Sequence, residues 1–256
     1  MDAYSKFAQV YDELMEDVPY EEISQIIDSK IKKYGVGNNI VLDLACGTGT
    51  LTKHLSDKGY EMIGADMSAE MLQIAQEKNP GVLFLNQPME DFELYGTVGA
   101  IVCSLDSVNY LLDDESLYET FRLCNNYLEP DGLLIFDINT EYKFKNILAD
   151  NIFTFDNDRI FYTWENNYCE EEKLCDFYLT FFVKDGDLYS RFDEVHTERV
   201  YSNLEIENAL TANGFEILEK LDNFTNNPAK ENSERVMYVC KNVDSIQAKN
   251  SKGEQI

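Results

Sequence analysis

The segment Ile40-Val41-Leu42-Asp43-Leu44-Ala45-Cys46-Gly47-Thr48-Gly49 constrains the fold more than any other part of the chain. Its β-branched and apolar residues suit a buried parallel strand, and it runs directly into two glycines one residue apart. Glycine removes the side chain where the backbone turns sharply and lets a ligand approach the main chain. The chemistry of the chain is expected beside that loop.

The pattern on either side places the loop in a larger design. Tyr4, Phe7, Tyr11 and Leu14 recur at helical spacing, and Tyr20, Ile23, Ile26, Ile27 and Ile31 do the same behind Pro19, so two amphipathic helices precede the strand. Strand 40–44 is followed by a helix at 50–58, a strand at 61–66, a helix at 68–78 capped by Ser68, and a strand at 82–86. A strand at 100–104, a helix at 114–128 and a strand at 133–137, begun after Pro130-Asp131-Gly132, continue the alternation. Repeated βαβ units imply a parallel sheet covered on both faces.

The alternation breaks at 152–201, which is rich in aromatics and holds the hairpin signal Lys184-Asp185-Gly186-Asp187. Cys175, Phe177, Leu179, Phe181 and Val183 share one face of the first extended run, so a small antiparallel sheet is inserted after the fifth strand. A helix at 203–213 and strands at 215–221 and 235–241 complete the α/β pattern. The expected organisation is a helical cap over 1–35, an α/β domain over 36–150 and 202–242, the inserted sheet over 151–201, and a disordered tail over 243–256.

Charge and cysteine usage exclude several functions. A formal charge of -27 repels nucleic-acid phosphates and anionic membranes, and no apolar run is long enough to span a bilayer. The N-terminus lacks the order of a signal peptide, which makes a soluble cytoplasmic protein the expectation. The six cysteines form no C-x-x-C pair and the two histidines, His54 and His196, are far apart, so no metal site is expected.

Read chemically, the loop is not a dinucleotide fingerprint. Thr52 stands where the third glycine of G-x-G-x-x-G belongs, and Asp43 sets a carboxylate before the loop, a poor neighbour for pyrophosphate. A nicotinamide dehydrogenase is thereby disfavoured. A carboxylate there suits a ligand carrying ammonium or sulfonium, either directly or by fixing the loop backbone through hydrogen bonds. Asp66, at the end of the next strand, has the placement of an acceptor for ribose hydroxyls.

These features, with Gly64-Ala65-Asp66-Met67-Ser68-Ala69-Glu70-Met71-Leu72 and Leu128-Glu129-Pro130-Asp131-Gly132-Leu133-Leu134-Ile135-Phe136-Asp137, resemble the class I S-adenosylmethionine-dependent methyltransferases over 36–140, in particular small-molecule enzymes acting on amino sugars and small amines. The resemblance implies a Rossmann-like, doubly wound, mostly parallel seven-stranded sheet and S-adenosyl-L-methionine as cofactor. It implies that Asp43, Ala45, Cys46, Gly47 and Gly49 form the methionine side of the cofactor site and that Asp66 holds the ribose. Met67 then packs on the adenine, and Met71 joins the same set. Relatives often carry an Asp where this chain has Pro88, so Gln87 or Met89 would substitute at the adenine edge. Leu105 and Tyr110 then lie under the sulfonium, and Tyr11 of the opening helix reaches the methionine carboxylate; Asp106 is expected as a structural cap or loop anchor ahead of a catalytic base.

Methyl transfer from a sulfonium is an in-line displacement in which a dedicated base is optional. His196, in the inserted segment, has a suitable pKa to take a proton from an amine or hydroxyl. Similar inserts in amino-sugar and small-amine methyltransferases form the substrate lid, and Trp164, Tyr168, Tyr178 and Arg191 are candidates to line a pocket. The expected function is methyl transfer to nitrogen or oxygen of a small molecule. The alternative is a non-catalytic cofactor-binding module that engages a protein partner.

Overall fold

The structure is a computed structural model and describes residues 3–245, with side chains from residue 7 onward. Helices α1 (Ala3–Leu14) and α2 (Tyr20–Tyr34) lead into β1 (Ile40–Leu44), α3 (Thr50–Asp57), β2 (Glu61–Asp66), α4 (Ala69–Lys78), β3 (Leu83–Asn86) and β4 (Val98–Cys103). After a 3-10 turn over Ser107–Tyr110 come α5 (Asp114–Tyr127), β5 (Leu128–Asn139) and α6 (Glu141–Lys143), which opens into a π turn over Phe144–Leu148. Strands β6 (Ile152–Asp156), β7 (Ile160–Cys169), β8 (Leu174–Asp185) and β9 (Leu188–Arg199) precede α7 (Asn203–Ala212), β10 (Phe215–Asp222) and β11 (Arg235–Asn242).

The main sheet has seven strands in the order β10-β11-β5-β4-β1-β2-β3, with β11 antiparallel to both neighbours and the other pairs parallel. Alternation sends Leu42, Leu44, Ile101, Cys103, Leu134 and Phe136 toward α5 and α7. It sends Val41, Ala100, Val102, Leu133 and Ile135 toward α2 and α3, where Ile23, Ile26, Ile27 and Ile31 meet them. Each such aliphatic side chain contributes about 1.5–3 kcal/mol on burial. The helix starts are chemically specified: Ser68 accepts from Met71 N, and Ser202 forms a reciprocal cap with Glu205 ahead of α7.

Strand β5 begins earlier than the Pro130-Asp131-Gly132 signal suggests. The turn residues are a bulge inside the strand, since the β4–β5 register passes from Val98↔Leu128 to Ala100↔Leu133 and Asp131 takes φ 64°. The second sheet, β6-β7-β8-β9, is a four-stranded antiparallel meander whose last hairpin turns at Gly186-Asp187, between the paired Asp185 and Leu188. Its inner face packs in two places. Phe181, Phe192 and Ile160 meet Val10, Phe7 and Leu14 of α1, while Phe177 and Cys175 meet Phe144 and Leu148 of the π turn. Helix α1 therefore touches both sheets, because Asp12 also binds Thr48 Oγ1 at 2.6 Å and Lys78 Nζ at 2.7 Å beside the glycine loop.

The tail expected over 243–256 lies outside the described residues from 246 onward. Among the described residues no helix is long and apolar enough to cross a membrane.

Candidate cofactor and methyl-transfer site

The carboxyl ends of β1, β2, β4 and β5 meet at one edge of the main sheet, the place where open α/β sheets bind ligands. The glycine loop crosses this edge. Ala45, Gly47 and Gly49 adopt φ 58°, 53° and 71°, and Cys46 N donates to Ala65 O at 3.0 Å, tying the loop to β2. A Cβ at Gly49 would stand 2.8 Å from Asn79 Nδ2, so α4 packs directly on this glycine. At Gly47 nothing lies within 4 Å of the same position, leaving the main chain open on its outer side.

Asp43 lies beneath the loop rather than on its surface. It is 2% exposed and accepts a hydrogen bond from Thr52 Oγ1 at 2.5 Å. The threonine that breaks the dinucleotide pattern is thus the partner of the acid before the loop. Of the two roles open to Asp43, the geometry gives it the fixing of the loop through the first turn of α3. Burial raises its carboxyl from an ordinary 3.8 to about 7 although the Thr52 hydroxyl opposes the shift. A carboxyl raised on folding contributes stability that is complete below pH 4 and is lost as the pH rises through 7. Asp43→Asn is therefore expected to flatten the fall in melting temperature of the wild type between pH 5 and pH 8, read by differential scanning calorimetry at both pH values.

Asp66 closes the next corner. Its Oδ2 accepts from Gly47 N at 2.8 Å and its Oδ1 from Ser68 N at 2.8 Å, so one side chain orients both the loop and the start of α4. Met67 beside it is 77% exposed, which removes core packing as its purpose. Met71 is half-buried in the first turn of α4. Gln87 hydrogen-bonds through its main chain to Asp66 O, and its side-chain carbonyl accepts from Glu93 N, while the Met89 sulfur lies 3.7 Å from Cys103 Sγ.

Below the loop after β4 lies a charged group of which the sequence signals only one member. Leu105 and Asp106 both take left-handed backbone, at φ 61° and 57°, a conformation that costs roughly 1–2 kcal/mol per residue. The Asp137 carboxylate holds them there by accepting from Leu105 N at 2.8 Å and Asp106 N at 2.9 Å. Arg235 of β11 bridges Asp137 and Asp106, reaching Asp106 Oδ1 at 2.5 Å. The Asp106 side chain makes no cap hydrogen bond to the 3-10 turn that follows it and pairs with Arg235 instead. Burial would raise its carboxyl, but Arg235 and Lys143 outweigh that and hold it below its ordinary value. Glu198 of β9 is fully buried, accepts from Asn139 Nδ2 at 3.1 Å, and is pushed well above the carboxylate range by burial and by Asp106. The group joins β4, β5, β9 and β11, which ties the small sheet to the main one.

Tyr11 stacks edge-on with Phe7 at 5.6 Å, and burial together with the fields of Tyr20, Asp106, Asp66 and Asp12 raises its phenol strongly. Asp66 and Asp106 among those neighbours stand at the carboxyl ends of β2 and β4, on either side of the cleft beside the glycine loop. His196 faces the same cleft from β9: its ring lies 5.5 Å from Phe7 and 6.0 Å from Tyr110. Its Nε2 is buried without a hydrogen-bond partner among the described residues, and burial lowers its pKa. Trp164 and Tyr168 share the inner face of the small sheet. Tyr178 and Arg191 do not: the register Phe177↔His196 and Phe181↔Phe192 sends both to the outer face, where Arg191 pairs with Asp193. His54 pairs with Glu21 and stacks on Tyr20.

Comparison with known proteins agrees with this geometry. The family described as "Methyltransferase domain" matches residues 41–132. The chain is 34% identical to a "Putative methyltransferase YqeM" of Bacillus subtilis over 95% of its own length and 98% of that protein. It is 28% identical to a "dTDP-3-amino-3,4,6-trideoxy-alpha-D-glucopyranose N,N-dimethyltransferase" of Streptomyces venezuelae, over 69% of the chain and 75% of that enzyme. A crystal structure of an S-adenosylmethionine-dependent methyltransferase from Clostridium acetobutylicum superposes with a TM-score of 0.85 at 37% identity, covering 94% of this chain and 99% of the other. With a relative of that identity matched over nearly its whole length, and the glycine loop, Asp66 and seven-stranded sheet in place, the chain belongs to the S-adenosylmethionine-dependent methyltransferases.

Proposed function

We propose that the protein transfers a methyl group to nitrogen or oxygen of a small molecule held between the carboxyl edge of the main sheet and the inner face of β6–β9. The observation that carries this reading is His196, whose Nε2 is buried and without a partner among the described residues, with its ring against those of Tyr110 and Phe7. A group in that state serves as a proton acceptor. The kinship with an N,N-dimethyltransferase of an amino sugar supports a small acceptor.

The residues at the edge fit the cofactor. In this reading the loop of Ala45, Cys46, Gly47 and Gly49, open on the outer side of Gly47, faces the methionine portion, Asp66 accepts from the ribose hydroxyls, and the exposed Met67 covers the adenine together with Met71. Gln87 and Met89 border the adenine edge, Tyr11 closes over the methionine end, and Leu105 and Tyr110 flank the reacting centre. Bound there, S-adenosylmethionine supplies a methyl carbon activated by its sulfonium. Helix α1 acts as a cap latched by Asp12, and the small sheet acts as a lid whose aromatic inner face keeps water from the acceptor. His196 takes the proton that the attacking atom gives up.

The test is release of S-adenosylhomocysteine with a panel of amines and hydroxy compounds. His196→Gln should lower kcat by about 10²–10⁴, the usual contribution of a general base. Because burial depresses the histidine, the acidic limb of the wild-type pH–rate profile should fall below its ordinary 6.5 and vanish in the variant. A variant with unchanged kcat and an unchanged limb would remove His196 from the chemistry.

A further inference from the structure

Along β9 the side chains of Phe192, Glu194, His196 and Glu198 alternate onto the inner face of the small sheet. Phe192 is covered by α1, and Glu198 joins the charged group below the loop after β4. Glu194 lies between them, in the row that pairs it with Leu179 and, one strand further, with Trp164. That row falls in the gap between the cluster under α1 and the cluster under the π turn, with Leu179 touching both. Glu194 is only 4% exposed, yet its Oε1 has no hydrogen-bond partner among the described residues. Trp164 Nε1 in the same row and His196 Nε2 one pleat away are in the same condition. By strand geometry the backbone of Glu194 lies about 7 Å along β9 from that of His196 and about 10 Å across the sheet from that of Trp164.

A buried carboxylate oxygen without a donor is costly to the fold, and four unpartnered polar atoms on one small face, with Asn166 Oδ1 in the row of His196 as the fourth, have no structural purpose there. Resting on the methyl-transfer reading above, we propose that Glu194 is the acceptor-recognition residue and that the methyl acceptor is a primary or secondary amine bound as its ammonium. The ammonium N–H groups find two acceptors, the Glu194 carboxylate and His196 Nε2, while Trp164 Nε1 donates to an oxygen elsewhere on the ligand. Burial raises the Glu194 carboxyl, a penalty that an arriving cation relieves. The ammonium gives one proton to His196 Nε2, which frees the nitrogen lone pair. The new N–C bond then forms as the C–S bond breaks, S-adenosylhomocysteine leaves as a neutral thioether, and the positive charge of the methylated product remains beside Glu194.

The experiment combines three measurements on the full chain and on Glu194→Gln. Without acceptor, Glu194→Gln should melt at or above the wild-type temperature, since an uncompensated buried acid is removed; a drop of several degrees would mean a structural role and overturn the proposal. With a panel of sugar amines and alkylamines, each matched to its hydroxyl isostere, the wild type should turn over amines only. Glu194→Gln should raise the amine KM at least tenfold while S-adenosylhomocysteine binds unchanged by calorimetry. Turnover of the hydroxyl partners, turnover of nothing in the panel, or an unchanged amine KM in the variant overturns it. Failure of the wild type to bind S-adenosylmethionine at all would instead bring down the methyl-transfer reading beneath it.

Discussion

Replacing Arg235 by methionine is expected to destabilise the protein by about 3–5 kcal/mol, the usual cost of leaving a buried ion pair with one partner. The guanidinium is the bridge between Asp137, whose side chain is fully buried, and Asp106, which is largely so. Methionine fills similar volume but leaves Asp137 without its ion-pair partner and Asp106 with only the field of Lys143. Asp137 holds two consecutive left-handed residues through their amides, so the loop under the reacting centre is expected to relax at the same time. Urea unfolding should show a lower midpoint with an unchanged slope. Adding Asp106→Asn to Arg235→Met should recover part of the loss, because it removes one of the two carboxylates that lost the guanidinium. Arg235→Lys should lie between, keeping the charge but not the two-pronged donor geometry. If Arg235→Met unfolds at the wild-type midpoint, the bridge carries no stability.

Asp66→Ala should weaken S-adenosylmethionine binding by about 10²–10⁴-fold, read by isothermal titration calorimetry. In the proposed site its carboxylate accepts from ribose hydroxyls, and hydrogen bonds to a charged group contribute about 1.5–3 kcal/mol each, with tenfold in affinity for every 1.4 kcal/mol. The same side chain also orients Gly47 N and Ser68 N, so alanine loosens the loop and the start of α4 together. Asp66→Asn keeps one accepting oxygen but sets its NH2 against the N–H of either Gly47 or Ser68, so its affinity should fall between those of alanine and wild type. Binding by Asp66→Ala within a few-fold of wild type would exclude Asp66 from the cofactor site.

The core elements and their order are legible in the chain because a half-buried helix and a buried strand impose different periods on apolar residues. The isoleucines of α2 and the apolar run of β1 show this directly. Pro130-Asp131-Gly132 reads as a turn between elements, yet the parallel pairing with β4 resumes on both sides of it, which only the neighbouring strand can dictate. Tyr178 and Arg191 are aromatic and cationic in the right segment, but a register one residue away decides that they face outward. Glu194 carries no local signal, since a glutamate among charges is ordinarily solvated; only the sheet register seats it beside Leu179, between two apolar clusters.

The sequence by itself determined the α/β alternation, the glycine loop after β1 and the acid at the end of β2, since each is a local requirement of backbone conformation or ligand approach. Tertiary structure alone decided that Asp43 binds Thr52 beneath the loop, that Arg235 joins Asp106 and Asp137, and that Glu194, Trp164 and His196 share one face. Those groupings unite residues from distant strands. Their chemistry depends on burial and on partners supplied by sheet register, quantities that no short stretch of chain contains.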